Sequence, residues 1–175
     1  MQIEACLSQP RDPAFKFYTD LFELRTAESQ QFIDLTELVA ERVRRSRILD
    51  GFVNVQTRHT TTAVVINENE PGLLHDVSDL LTRLAPRDAS YRHDDLENRP
   101  YAQPGEPRNG HSHLRSVVLG PSATLNVVGG QLQLGRWQRI FLVELDGPRK
   151  RSVSIGVLGM TGEDPAPDAA IARAS

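Results

Sequence analysis

The sequence predicts a single-domain α+β fold, and three observations carry that expectation. Val53, Val55 and Thr57 alternate with Asn54, Gln56 and Arg58, the pattern of a half-buried strand. Leu73, Leu74, Val77, Leu80, Leu81 and Leu84 recur at helical spacing behind Pro71, a residue suited to a first helical turn. The stretch from residue 123 to residue 158 reads as a run of strands, so a mixed or antiparallel β core with two or three helices is expected. A chain of 175 residues is long enough to bury a real core in one domain.

Residues 1–13 hold Pro10 and Pro13 without a period and are expected to form a leader before a domain spanning 14–160. Phe15 to Leu24 reads as one or two strands. Asp34 or Thr36 suits the cap of a helix running to about Arg47, with Leu35, Leu38, Val39 and Val43 on one face and Gly51 closing the unit. The strand beginning at Phe52 is interrupted at His59-Thr60-Thr61-Thr62. It resumes over Ala63–Ile66 and ends at Asn67-Glu68-Asn69-Glu70, where Glu70 is expected to cap the helix that Pro71 opens and Pro86 stops.

Residues 85–110 carry four prolines, many charges and few apolar side chains. A connection of this length without obvious structure is uncommon within a domain and is often functional. Asn109 is expected to cap a short helix ending at Gly120, with Leu114, Val117 and Val118 on its apolar side and His111 solvated. A hairpin turning at Gly129-Gly130 follows. Next comes a strand over 138–145, with Ile140, Leu142 and Glu144 on one side and Arg139, Phe141, Val143 and Leu145 on the other. A turn at Asp146-Gly147-Pro148 leads to a last strand over 152–158, and residues 161–175 are expected to be a flexible tail.

A net charge of −3 argues against bulk nucleic-acid binding. Cys6 is the only cysteine, so no disulfide within the chain and no cysteine cluster is available. Ala63-Val64-Val65-Ile66 is far too short to span a bilayer, and residues 1–13 lack a secretory pattern; a cytoplasmic protein with no membrane partner is expected.

His59, His93 and His113 each sit at a junction and off an apolar stripe, whereas His75 lies beside one and reads as a surface residue. Three imidazoles from separate segments suit one divalent metal or one substrate, with carboxylates such as Glu68, Asp94 and Asp95 to orient them. Spacing alone favours three separate surface or hydrogen-bonded histidines, since no tight ligand motif is present. Thr60 and Thr61 offer hydroxyls to phosphate oxygens, Arg149 offers a bidentate guanidinium, and the helix near Asn109 offers backbone N–H groups. Lys150 and Arg151 read as solvated charge. Trp137 is a packing residue or a flat wall for a heterocycle.

Several of these segments, taken in order, resemble the YjbQ-like family. They are His59-Thr60-Thr61-Thr62-Ala63 with Ile66-Asn67-Glu68-Asn69-Glu70, then Tyr91-Arg92-His93-Asp94-Asp95, Ser112-His113-Leu114, Leu134-Gly135-Arg136-Trp137-Gln138 and Asp146-Gly147-Pro148-Arg149. The resemblance covers roughly residues 15 to 160. It implies a β-sandwich-like core, a homotrimer and a weak, secondary thiamine-phosphate synthase activity on phosphorylated small molecules. It also implies a catalytic set of His59, Glu68, His93, Asp94 and His113, with Thr60, Thr61, Asn67, Trp137, Gln138 and Arg149 binding substrate or phosphate. His59, His93 and His113 are its implied holders of a divalent ion (zinc, magnesium or manganese). The alternatives are a metal-dependent hydrolase that uses the same residues with water as nucleophile, and a non-catalytic trimer that binds a metal or an anionic metabolite.

Overall fold

Strand pairing sorts the chain into two antiparallel sheets. In the computed structural model, which describes residues 14–162, β1 (Phe15–Arg25) lies along β8 (Lys150–Thr161), β8 along β3 (Ile48–Thr57), and β3 along β5 (Ser122–Val128), with β6 (Gln131–Leu132) at the edge. In the second sheet β7 (Gln138–Glu144) runs between β2 (Gln31–Asp34) and β4 (Thr62–Glu68). Helices α1 (Thr36–Ser46), α2 (Pro71–Leu84) and α3 (Gly110–Leu119), with a 3-10 turn at Arg92–Asp94, complete the fold. This is the expected α+β domain with three helices. The expected leader over 1–13 lies outside the described residues, as does the expected tail over 161–175 beyond residue 162; Thr161 does not belong to a tail but closes β8 and is buried.

The main core fills the space between the sheets. Val53, Val55, Val153, Ile155 and Val157 of the large sheet meet Val64, Ile140 and Leu142 of the small one, and α1 adds Val39 and Val43. The other face of the small sheet packs Ala63, Phe141 and Val143 with Leu81 of α2. Strand β7 is thus covered on both faces, which is why both of its alternating sets are apolar.

Local chemistry sets several boundaries as expected. Glu70 accepts hydrogen bonds from the Gly72 and Leu73 N–H groups at 2.8 and 2.6 Å and starts α2. Those two donors hold its carboxyl below the usual range. Gly129 and Gly130 adopt φ of +56° and +73° and turn the hairpin. Strand β2 was not foreseen, because four residues are too few to show a period.

Gly51 does not end a helical unit. It lies inside β3 opposite Gly159 of β8, where an added Cβ would come within 2.0 Å of the Leu158 carbonyl oxygen. The glycine pair lets the two strands touch backbone to backbone beside a register shift at Ile48/Asp50.

The largest departure is α3, which faces the other way. His111, expected in solvent, is only 3% exposed, and Ser112, Arg115 and Ser116 also point inward. Val117 and Val118 stand 81% and 62% exposed. The cause is what lies beneath: Ser112 Oγ donates to the Leu145 carbonyl at 2.6 Å, Ser116 Oγ to that of Thr62 at 2.8 Å, and Arg115 Nε to that of Ala85 at 3.0 Å. Strand and helix ends present carbonyls there, and only a polar helix face satisfies them.

Candidate functional site

The site forms at the end of the small sheet where Thr62 of β4 lies opposite Glu144 of β7. Glu144 is fully buried and Arg151, expected to be solvated, is only 4% exposed. The guanidinium grips the carboxylate with two hydrogen bonds, Nε to Oε2 at 2.6 Å and Nη2 to Oε1 at 2.5 Å. Thr26 Oγ1 and the Leu145 and Asp146 N–H groups add three donors to the same carboxylate at 2.9, 3.1 and 3.0 Å. Burial alone would raise the Glu144 pKa, but Arg151 and these donors outweigh it and hold the group below its ordinary value. Arg151 also donates to Thr61 Oγ1 at 3.1 Å, which fixes the loop between β3 and β4.

That loop carries His59. The Ser152 N–H donates to His59 Nε2 at 2.8 Å, so Nε2 is the acceptor and the neutral ring carries its proton on Nδ1. Burial, then the Arg151 charge, lowers the His59 pKa.

His93 and His113 meet in a second cluster, their ring centroids 4.5 Å apart. His93 is oriented from both sides, by Asp94 Oδ1 at 3.1 Å from Nδ1 and by Glu106 at 3.6 Å from Nε2. Glu106 is itself paired with Arg99. Burial, then His93, lowers the His113 pKa, so the ring is neutral near neutral pH. Asp94 also accepts from the Gly110 N–H at 2.9 Å and caps α3, a role expected of the Asn109 side chain. Burial pushes the Asp94 pKa up, but the Gly110 and His93 contacts overcome it and leave it lowered.

Gly110 makes this junction possible. A Cβ there would lie 2.6 Å from Tyr91 Cβ and 3.3 Å from Asp94 Oδ1. Gly110→Ala is expected to cost about 1–3 kcal/mol by overpacking. It should also part His93 from His113, a change read from melting temperature and from the imidazole proton resonances.

A cavity of about 320 Å³ opens over these groups. Its walls are Arg58, His59, Thr60 and Thr61 from one loop, Glu106, Pro107, Asn109 and His113 from the long connection and α3, and Asp146, Arg149 and Arg151 after β7. Of the expected site residues, His59, Thr60, Thr61, His113 and Arg149 line it, and His93 and Asp94 stand directly behind His113. Four expected residues lie elsewhere within one chain. Glu68 pairs with Gln138 and Asn67 with Arg139 at the opposite end of β4 and β7, roughly 20 Å away along six strand residues. Trp137 precedes β7 at that far end, exposed and stacked with Arg136 at 4.7 Å. Sequence reasoning missed Arg58, Glu106, Glu144, Asp146 and Arg151.

The donors of one chain do not converge as a three-histidine ion site. His59 Nε2 is occupied by the Ser152 N–H, and both His93 nitrogens face carboxylates. Among the described residues no set of three His, Cys, Asp or Glu side chains is arranged to hold a metal ion. No helix among them is long and apolar enough to cross a membrane.

Two antiparallel sheets with a histidine- and arginine-lined pocket at a strand end define a small α+β pocket protein. The family described as UPF0047 protein YjbQ-like matches residues 20–160. A UPF0047 protein of Methanothermobacter thermautotrophicus is 43% identical over 142 residues, 81% of this chain and 92% of the relative. A UPF0047 protein of Mycobacterium tuberculosis is 39% identical, covering 75% and 92%. Among solved structures, a YbjQ-like protein of unknown function from Sulfolobus solfataricus superposes with a TM-score of 0.76 at 33% identity, covering 83% of this chain and 99% of that one. A hypothetical protein from Aeropyrum pernix gives 0.72 at 36% identity, covering 81% and 98%. The chain belongs to the YjbQ-like UPF0047 family.

Proposed function

We propose that the cavity binds a phosphorylated small molecule and supports a transfer of the thiamine-phosphate synthase type. The observation that carries this reading is that Arg58, Arg149 and Arg151 share one small cavity with the half-buried imidazoles of His59 and His113. In such a transfer a pyrimidine-methyl diphosphate loses pyrophosphate as its C–O bond breaks, and the ring nitrogen of a thiazole phosphate forms the new C–N bond. The arginines neutralise the leaving charge, and His59 Nδ1–H donates to a phosphate oxygen. Magnesium, if used, would be held chiefly by the diphosphate oxygens, since that ion rarely needs a protein cage. A cytoplasmic setting, where phosphorylated metabolites are kept, suits this chemistry.

The test is incubation of the protein with both substrates and magnesium, following pyrophosphate and thiamine phosphate. Slow formation of both supports the reading. Tight substrate binding with no product supports the non-catalytic binding alternative, and neither binding nor product contradicts both.

The proposed assembly is a homotrimer. A closed ring built from one repeated contact needs two different patches on each chain. The outer face of the large sheet exposes Phe15, Phe17, Phe52, Leu158 and Met160, with Phe17 paired to Leu158 across the strands. The outer side of α3 exposes Leu114, Val117 and Val118. Joining the first patch to the second would cover both and explain why α3 turns its apolar side away from its own core. Phe17→Glu and Val117→Glu are each expected to convert a trimer mass to a monomer mass in light scattering. A trimer that survives both substitutions contradicts this contact.

A further inference from the structure

Beyond the arginines proposed to hold phosphate, the cavity wall also carries hydrogen-bond acceptors. Asn109 lines the cavity and is 4% exposed. Its Nδ2 donates to Asp146 Oδ2 at 2.7 Å, while its Oδ1 is buried and has no donor among the described residues. The amide cannot sit the other way round, because Oδ1 would then face a carboxylate, acceptor against acceptor. Asp146 Oδ2 also takes Arg149 Nη2 at 2.7 Å. Asp146 Oδ1 has no hydrogen-bond donor among the described residues.

We infer that the ligand of this cavity carries a hydrogen-bond donor, an amino or hydroxyl group, a short tether from its phosphate, and that Asn109 Oδ1 and Asp146 receive that donor. The inference rests on reading the cavity as a phosphate site and adds the chemistry of the rest of the ligand. A ligand that is only an anion would leave Asn109 Oδ1 unmet and set negative charge beside the Asp146 carboxylate. A ligand with both ends satisfies the guanidinium groups on one side and the acceptor pair on the other. Arg149 links the halves, since the group that would hold phosphate is itself held by Asp146.

Calorimetric titration of the whole chain with 2-aminoethyl phosphate and with ethyl phosphate tests this, because the two probes differ by one amino group. The aminoethyl probe is expected to bind at least ~10-fold more tightly, as sites built around hydrogen bonds reject analogues that lack them. Asn109→Ser should bring the ratio toward one. Equal affinities in the wild-type protein overturn the donor subsite and leave the phosphate reading standing. Binding of neither probe overturns both. A preference that survives Asn109→Ser but is lost in Asp146→Asn overturns the role of Asn109.

Discussion

Glu144→Ala is expected to destabilise the fold by about 3–5 kcal/mol, the usual cost of removing one partner from a buried ion pair. Glu144 has no solvent exposure, and Arg151, at 4%, would be left charged without its carboxylate. At roughly 2–4 °C per kcal/mol for a domain of this size, the melting temperature should fall by about 6–20 °C. The double variant Glu144→Gln/Arg151→Met should recover much of that loss, because an apolar replacement removes the stranded charge along with its partner. It should still bind phosphate weakly, since Arg151 is gone from the cavity. Recovery of stability without recovery of binding separates the two roles of the pair.

The same groups predict an acid-labile fold. His59, His111 and His113 all have pKa values lowered by burial from an ordinary 6.5, and Glu144 is lowered from 4.5. A group with a lowered folded pKa binds fewer protons folded than unfolded, so its stability is full above the unfolded value and is lost as pH falls toward the folded one. Melting temperature should therefore decline below about pH 6.5 through the histidines and fall further below about pH 4.5 through Glu144. A melting temperature that holds steady from pH 7 to pH 5 contradicts the assignment of neutral buried imidazoles.

Under the proposed transfer, His113→Ala is expected to reduce turnover by roughly 10²–10³-fold, the range for losing one preorganised donor to the charge that develops on the departing pyrophosphate. His113 is the imidazole that both lines the cavity and contacts a second ring, His93. Because its pKa is lowered, the ring stays neutral to pH values below 6.5, and the acid limb of kcat/KM should appear only where acid protonates it. His93→Ala should produce a smaller loss and shift that acid limb upward, since His93 stands behind His113 and its charge helps depress it. Identical pH profiles for the wild type and His93→Ala would contradict a positioning role for His93.

What was legible in the sequence is what local chemistry decides. The Glu70-Pro71 helix start, the Gly129-Gly130 turn and the strand patterns depend on neighbours in the chain, and the structure has them where expected. The face of α3 was not legible, because helical spacing locates an apolar stripe without saying whether its own chain covers it. Its inward serines and Arg115 answer strand-end carbonyls that only the tertiary fold assembles. The placement of Glu68 was hidden by the length of β4: close to His59 in sequence, it is carried to the far end of the sheet. Glu144 did leave a signal, a carboxylate sharing the face of Ile140 and Leu142, but its partner Arg151 was concealed in a run of three basic residues.

The decisive measurement is calorimetric titration of pyrophosphate into the wild-type protein and into Arg149→Met. A saturating signal of one pyrophosphate per chain, weakened at least ~10-fold by the substitution of one charge-assisted contact, is the predicted result. No heat of binding at millimolar pyrophosphate, or equal affinity in the two proteins, would contradict a phosphate site built on these arginines.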